Sequence, residues 1–413
     1  MPSVLPDGQP APRDGSLPVT ALQEVGSRPF GIYWHVPFCA SRCGYCDFNT
    51  YTVAELGGGD DLVRRYAVAA LSELDQAATV LGRATGGTPE VSTVFFGGGT
   101  PTLLDPVDLA CFLAAIADRF DLASDAEVTV EANPETVTVE GLQFLAEAGF
   151  TRISLGMQSA VVPVLATLER THRHAKVAEA VAAARSAGLQ VSLDLIYGTP
   201  GESMADWDAS LAAAVALHPD HLSAYALVVE EGTALARRVG QGLVPPPQDD
   251  DEAAKYERAD AALAAAGYSW YEVSNFAARP SARCRHNELY WRSDHWWGIG
   301  PGAHSHVGGV RWWNHKHPRL YAQRIADGTS PAAAREVLTR EQRRDEEVLL
   351  GMRLADGLSD HVLDASGSAA VSALVAEGLI EADAADQRQR LLLTLRGRLL
   401  ADLVVRRLLG LPG

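Results

Sequence analysis

Short apolar, β-rich runs alternate along the chain with alanine-rich stretches whose apolar residues recur at helical spacing. The runs are FGIYWHV (30–36), VSTVFFG (91–97), AEVTVEA (126–132), TRISLG (151–156), VSLDLIYG (191–198) and HLSAYAL (221–227). Helical patterns lie near 60–81, 106–119, 138–148, 175–187 and 203–217, with another near 251–266. Strands alternating with helices of this length predict βα units and a parallel sheet. Six such units exceed half of a dinucleotide-binding fold and fall short of a closed eightfold barrel. The expected fold is therefore α/β, a partial (β/α)6 barrel of the TIM type, with its chemistry at the C-terminal ends of the strands.

Outside that pattern the chain changes character. Residues 1–28 are rich in Pro and Gly, lack an apolar core, and are expected to be disordered. In VPPPQDDDEAAKY, Pro245, Pro246 and Pro247 form a stiff connector, and Asp249, Asp250 and Asp251 suit the start of a helix. Residues 268–317 are rich in Trp and His without clear periodicity, and are expected to close the open side of the barrel. The barrel with this segment is assigned to 29–330. Residues 331–413 turn helical again. LVAEGLIEADAADQRQRLLLTLRGRLLADLVVRRLL reads as helix, turn, short hairpin, helix, a smaller α+β domain of winged-helix-like form.

Composition narrows the function. The formal net charge of −17 opposes nucleic-acid binding, which needs a basic surface. No apolar run is long enough to span a bilayer. Five cysteines are too few and too uneven for a disulfide framework, so the expected compartment is reducing and cytoplasmic. Three of the five, Cys39, Cys43 and Cys46, fall in FCASRCGYCDF, and Phe48 stands where a fourth might follow. Three thiolates do not close a tetrahedral zinc site. They suit an iron–sulfur cubane with one iron left open to a substrate or cofactor. A zinc knuckle completed by a distant histidine such as His35, or three unrelated buried thiols, remain alternatives. Cys111, in a helical pattern, is expected in the core.

The C-x3-C-x2-C spacing, with Tyr45 before the last cysteine and a position after the first strand, resembles the radical S-adenosylmethionine (SAM) superfamily. The resemblance implies a 4Fe–4S cluster on Cys39, Cys43 and Cys46, with SAM chelating the open iron, and an electron donor for the cluster. It also implies a SAM site at positions that match family contacts. These are Tyr33 and Tyr45, Gly98, Gly99 and Thr100 of FFGGGTPT, Glu131 of VEANPET, Gln158 of ISLGMQS, Arg170 of LERTH and Asp194 of LDLIYGTP. Taken singly, each is an ordinary loop or strand-end residue. Polar groups ending four consecutive strands are harder to explain as packing.

IYWHVPFC, FFGGGTPTLL, EANPET, SLGMQS, LDLIYGTPG, CRHNELYW and GIGPGAHS together resemble one branch, the oxygen-independent coproporphyrinogen III oxidases and the related heme chaperones called HemW. The oxidases carry a further cysteine where this chain has Phe48, and HNELYW (286–291) fits a pattern associated with the chaperones. The resemblance therefore implies a protein that binds heme and delivers it to an acceptor hemoprotein without the oxidase decarboxylation. It leaves an oxidase or a radical-SAM methyltransferase as alternatives. Six histidines between His286 and His317, interleaved with Trp291, Trp296, Trp297, Trp312 and Trp313, are candidate walls and ligands for a porphyrin. Motif context singles out His286 as the heme ligand, with Arg283, Arg285 and Arg292 as propionate partners. Cys284 is either a ligand or an inert thiol. A homodimer is an open possibility.

Overall fold

The six expected strands are present in the computed structural model, which describes residues 7–411 apart from 53, 58, 86, 171 and 383–388. They are β1 (Phe30–Val36), β2 (Glu90–Gly98), β3 (Asp121–Ala132), β4 (Arg152–Gln158), β5 (Gln190–Tyr197) and β6 (His221–Ala226). Each pairs in parallel with the next. Helices α1 (Asp60–Thr85), α2 (Pro106–Arg119), α3 (Val139–Glu147), α4 (His174–Ser186) and α5 (Met204–Ala216) make the crossovers, and α6 (Asp249–Ala265) follows β6. Their starts are set by local chemistry. Asp105 accepts from the Val107 amide, Thr138 from the Gly141 amide, and Ser203 and Asp206 form a reciprocal capping box. The acidic run opens α6 as expected.

Period-two alternation along the strands divides the sheet into two faces. Val128, Val130, Ile153, Leu155, Val191, Leu193, Leu195 and Leu222 point outward and are buried beneath the helices. Burying each of these side chains stabilises the fold by about 1.5–3 kcal/mol. The residues between them face inward and are mostly polar, which decides where the site lies.

The sheet extends past the six units at both edges. Helix α7 (Arg285–Trp291) leads into β9 (His295–Ile299), which pairs in parallel with β1. Strands β10 (His304–Val307), β11 (Val310–Asn314) and β12 (Ala332–Val337) then continue it antiparallel. At the other edge β7 (Ser269–Glu272) and β8 (Asn275–Ala277) form a hairpin on β6. Among the described residues one twelve-stranded sheet results, in the order β12-β11-β10-β9-β1-β2-β3-β4-β5-β6-β8-β7. The Trp/His-rich segment is thus strand-forming, and the sheet runs through the boundary drawn at residue 330.

Two further expectations are corrected. Of residues 1–28, expected to be disordered, 1–6 lie outside the described residues and 7–28 are ordered: Gln9 exchanges backbone hydrogen bonds with Arg335 on β12, the Ser330 amide donates to the Arg13 carbonyl, and Val19–Leu22 forms a helical turn with Ala21 buried. A Pro-rich segment needs no helix of its own when an edge strand offers unpaired backbone. Cys111 is exposed rather than core, because Leu109, Phe112, Leu113 and Ile116 form the buried face of α2.

Beyond β12 the chain builds a smaller unit with its own core of Val348, Met352, Leu374, Leu379, Val404, Val405 and Leu408. Helices Arg340–Gly351, Ala365–Ala376, Leu395–Leu399 and Ala401–Leu408 surround a two-stranded pairing of Leu358–Ser359 with Arg390–Leu391. Ile380 bridges Leu393 where the short hairpin is expected, and the residues joining its arms, 383–388, lie outside the described residues. Arg398 fastens this unit to the barrel, lying 4.3 Å over the Trp270 ring and 2.7 Å from Asp260.

Candidate functional site

The cysteine loop leaves the C-terminal end of β1 and is braced from several sides. Phe38–Cys39 pairs with Tyr51–Thr52, and the amides of Gly99 and Thr100 donate to the carbonyls of Val36 and Phe38 at 2.8 Å each. Gly98 has φ +110°, and a Cβ there would meet the His35 ring at 2.5 Å; one on Gly99 would stand 2.4 Å from the Phe38 carbonyl oxygen. Only glycine fits so close an approach. Asn49 ties the loop to the following segment: its carbonyl meets His35 Nε2 at 2.9 Å, and its amide donates to the carbonyls of Pro301 and Lys316 at 2.9 Å each.

Cys39, Cys43 and Cys46 are free and half-buried. Burial pushes the Cys39 thiol up to about 11 and raises Cys46 as well, so metal binding at the loop must displace their protons. Arg170 Nη1 donates to Cys43 Sγ at 3.3 Å. The zinc alternative through His35 fails on geometry. Its Nδ1 is 3.0 Å from the Tyr33 hydroxyl and its Nε2 faces Asn49, so neither nitrogen is open. Among the described residues no three His, Cys, Asp or Glu side chains converge on a point as a single ion would require. A cubane bonds each thiolate to a different iron, so its cysteines ring a space instead.

Beside the loop opens a cavity of about 480 Å³, reached by Tyr45, Cys46 and Phe48 from the loop and by Glu131, Gln158 and Asp194 from the strand ends. Burial, and then the neighbouring Asp194, raises the Glu131 carboxyl to about 7, although it accepts the Gly98 amide at 3.0 Å. Burial likewise raises Asp194, against hydrogen bonds from Ser223 and from Ser154 at 3.0 Å. Gln158, at φ +55°, accepts from Arg170 Nε at 3.1 Å. Burial opposes the charge of Arg170, but Cys43 and Tyr45 outweigh it and raise its pKa. Tyr33 and Gly98 line an adjoining cavity of about 290 Å³ that shares Phe48, Phe95, Glu131 and Asn287 with the first.

The structure therefore gathers Tyr45, Glu131, Gln158 and Asp194 around one chamber, with Arg170 behind Gln158 and Tyr33 and Gly98 next door. Gly99 and Thr100 act through their backbone, as braces of the loop. Two desolvated carboxylates, an arginine and a ring of thiols suit a ligand with a cationic amine, a carboxylate and hydroxyls. The donor set fits SAM beside a cubane cluster. Sequence reasoning missed the depth of the chamber. Thr129, Arg152, Ser154, Ser192, His221 and Ser223 also line it, and they occupy the same alternate strand positions as Glu131 and Asp194. The alternation E-x-T-x-E, R-x-S, S-x-D and H-x-S in consecutive strands carries that signal.

His286 lines the adjoining cavity of about 290 Å³ with its imidazole held by neighbours. It is 1% exposed, its Nδ1 is 2.7 Å from the Thr93 hydroxyl, and its Nε2 is 2.8 Å from the Tyr290 hydroxyl. Burial lowers its pKa to about 3, so it stays neutral with both nitrogens engaged. Arg283 and Arg292 face Asp356 and Glu288, and Arg285 faces Asp125, so each expected propionate partner already meets a carboxylate. The Cys284 thiol is buried, donates to Glu127 and lines the 480 Å³ cavity.

Comparison with known proteins places this geometry. The family model described as Radical SAM superfamily matches residues 33–214. The heme chaperone HemW of Mycobacterium tuberculosis (strain ATCC 25618 / H37Rv) is 50% identical over 399 residues, covering 96% of this chain and 99% of the relative. The heme chaperone HemW of Bacillus subtilis (strain 168) is 32% identical over 388 residues, covering 92% and 98%. Among solved structures, coproporphyrinogen III oxidase (HemN) from Escherichia coli, a radical SAM enzyme, shares the fold with a TM-score of 0.79 at 22% identity, covering 94% of this chain and 92% of that one.

Proposed function

This chain belongs to the heme chaperone HemW family within the radical SAM superfamily, and from that premise we propose that it binds heme and hands it to an acceptor hemoprotein. Cys39, Cys43 and Cys46 would hold a 4Fe–4S cluster. Tyr33, Tyr45, Glu131, Gln158, Arg170 and Asp194 would hold SAM, with Gly98, Gly99 and Thr100 shaping the loop around both. When bound, the cluster would supply electron transfer to SAM. The protein's part is to keep the thiolates in one ring, to neutralise Cys43 with Arg170, and to hold desolvated carboxylates where a cationic amine arrives.

The observation that carries the chaperone reading over the oxidase reading is Phe48. It is 50% exposed on the cluster loop, at the position where the oxidase pattern has a cysteine, and it lines both cavities. An exposed aromatic there offers an apolar face and no ligand to iron. Partners on this reading are heme, an acceptor hemoprotein and an electron donor for the cluster, with a homodimer as one form of the protein. No helix among the described residues is long and apolar enough to cross a membrane, and the low cysteine count fits a cytoplasmic setting.

Anaerobic titration of the cluster-loaded protein with hemin, followed by mixing with an apo-hemoprotein, tests the proposal. Saturable one-to-one Soret binding and transfer to the acceptor support it. Conversion of coproporphyrinogen III to protoporphyrinogen with SAM and reductant, without saturable hemin binding, would replace it with the oxidase reading.

A further inference from the structure

The inner end of the 480 Å³ cavity holds donors without acceptors. Arg152 is 2% exposed. Its Nη2 donates to Gln190 Oε1 at 3.0 Å and to the carbonyls of Ala282 and Arg283 at 2.9 Å each, and lies 3.3 Å from Glu127. Its Nε and Nη1 are buried and have no partner among the described residues. Thr129 is paired with Arg152 across β3 and β4, is 1% exposed, and leaves its hydroxyl equally unpaired. Asn287, half-buried, lines the same cavity, and no side-chain hydrogen bond engages its amide among the described residues. Glu127 does not answer this demand. It already accepts the amides of Arg285 and His286 at 3.1 Å each.

Buried N–H and O–H groups left unpaired are costly and rare in native proteins, so this cluster calls for a partner. The chemistry of the partner follows from the donors. A guanidinium asks for negative charge, and a group of donors asks for an acceptor-only ligand with more than one oxygen. One guanidinium already shared with Glu127 matches a single negative charge better than the two of a phosphate. Cys46, Glu131 and Asp194 line the same cavity nearer its mouth, so a ligand reaching Arg152 lies inward of the SAM position.

We propose that Arg152, Thr129 and Asn287 form a carboxylate-binding subsite at the floor of the barrel, inward of the SAM position. Its ligand is the carboxylate of an organic molecule entering through the cavity mouth. The carboxylate comes either from a small free acid or from the propionate arm of a porphyrin, and the test separates the two. The subsite itself does not depend on the heme reading.

The cluster-loaded protein is titrated with sodium propionate by calorimetry, and with hemin and hemin dimethyl ester by Soret absorbance. Wild type, Thr129→Val and Arg152→Lys are compared. Arg152→Lys also loosens the tethers to Ala282 and Arg283, whereas Thr129→Val keeps every Arg152 contact and so remains informative if the first variant fails to fold. The expected result is carboxylate-dependent binding that Thr129→Val weakens about tenfold, the effect of one hydrogen bond to a charged group. Saturable propionate binding with that loss assigns a small free acid. Hemin binding about tenfold tighter than its diester, with the preference erased by Thr129→Val, assigns the propionate arm. Propionate binding with neither porphyrin bound would remove the heme reading and leave the subsite standing. No propionate binding together with equal affinity for hemin and its diester, or a preference untouched by both substitutions, overturns the proposal.

Discussion

The barrel chamber and the Trp/His-rich segment from His286 to His317 are built from polar and aromatic side chains alike, but the chamber gathers buried carboxyls and a guanidinium where the segment gathers imidazoles and indoles. In the segment many polar atoms find partners at home, while both His295 nitrogens and Trp297 Nε1 have none among the described residues. Trp296 Nε1 donates to the His304 carbonyl at 3.0 Å, His306 uses both nitrogens on the Asp294 carbonyl and the Gly309 amide, and His286 is held by Thr93 and Tyr290. Trp297 packs edge-on against Trp312 at 4.7 Å. In the chamber Glu131 and Asp194 are forced upward by burial, and Arg152 Nε and Nη1 and the Thr129 hydroxyl lack partners among the described residues. Satisfied polar groups hold a fold together, and under-satisfied ones store affinity for a ligand. The buried carboxyls and guanidinium of the chamber favour the barrel mouth as the place for charged chemistry.

The sharpest way to break the contrast is at the cysteines. Cys39→Ala, Cys43→Ala and Cys46→Ala should each abolish cluster binding, while Cys111→Ala, on the exposed face of α2, should leave it intact; iron and sulfide analysis after anaerobic reconstitution decides this. Next comes Arg170→Ala, which removes a charged partner of both Cys43 and Gln158. It should weaken SAM binding by about 10- to 100-fold, as loss of a hydrogen bond to a charged group does, and Arg170→Lys should restore little because a single ammonium cannot reach both Cys43 and Gln158. Equilibrium dialysis with labelled SAM measures both.

His286→Ala should act on the fold rather than on the ligand. Losing two buried hydrogen bonds and an imidazole should lower stability by about 2–4 kcal/mol in urea unfolding, with hemin affinity unchanged. A selective loss of hemin binding without loss of stability would return His286 to the site. The smallest effect concerns pH. Glu131 titrates near 7 when folded against 4.5 when exposed, so the folded protein holds the extra proton between those values. Stability of the ligand-free protein should therefore fall as pH rises from about 4.5 to 7, by up to roughly 3 kcal/mol from this group. Glu131→Gln should flatten that slope and be the more stable form above pH 7, read from thermal unfolding across the range.

Much of this was legible in the chain. The six strand runs, the cysteine triplet and the strand-end carboxylates are local patterns, and local patterns survive into the fold. What escaped were properties of facing surfaces. The strands read as apolar runs because Val128, Ile153, Leu193 and Leu222 dominate them, while the alternate positions Thr129, Arg152, Ser192 and His221 converge only once the sheet curls. His286 carries a motif, but whether an imidazole is free depends on Thr93, some two hundred residues away in the chain. The Pro-rich start looked structureless because its partner, the edge strand β12, lies at the far end of the sequence.

The most direct test of the central contrast is the electron paramagnetic resonance spectrum of the reduced cluster, with and without SAM, in wild type and in His286→Ala. If the barrel mouth holds a cluster with an open iron and the segment only supports it, SAM should shift the signal in both proteins. A wild-type spectrum indifferent to SAM, or a shift lost on replacing His286 in a protein that still folds and holds its iron, would contradict the account.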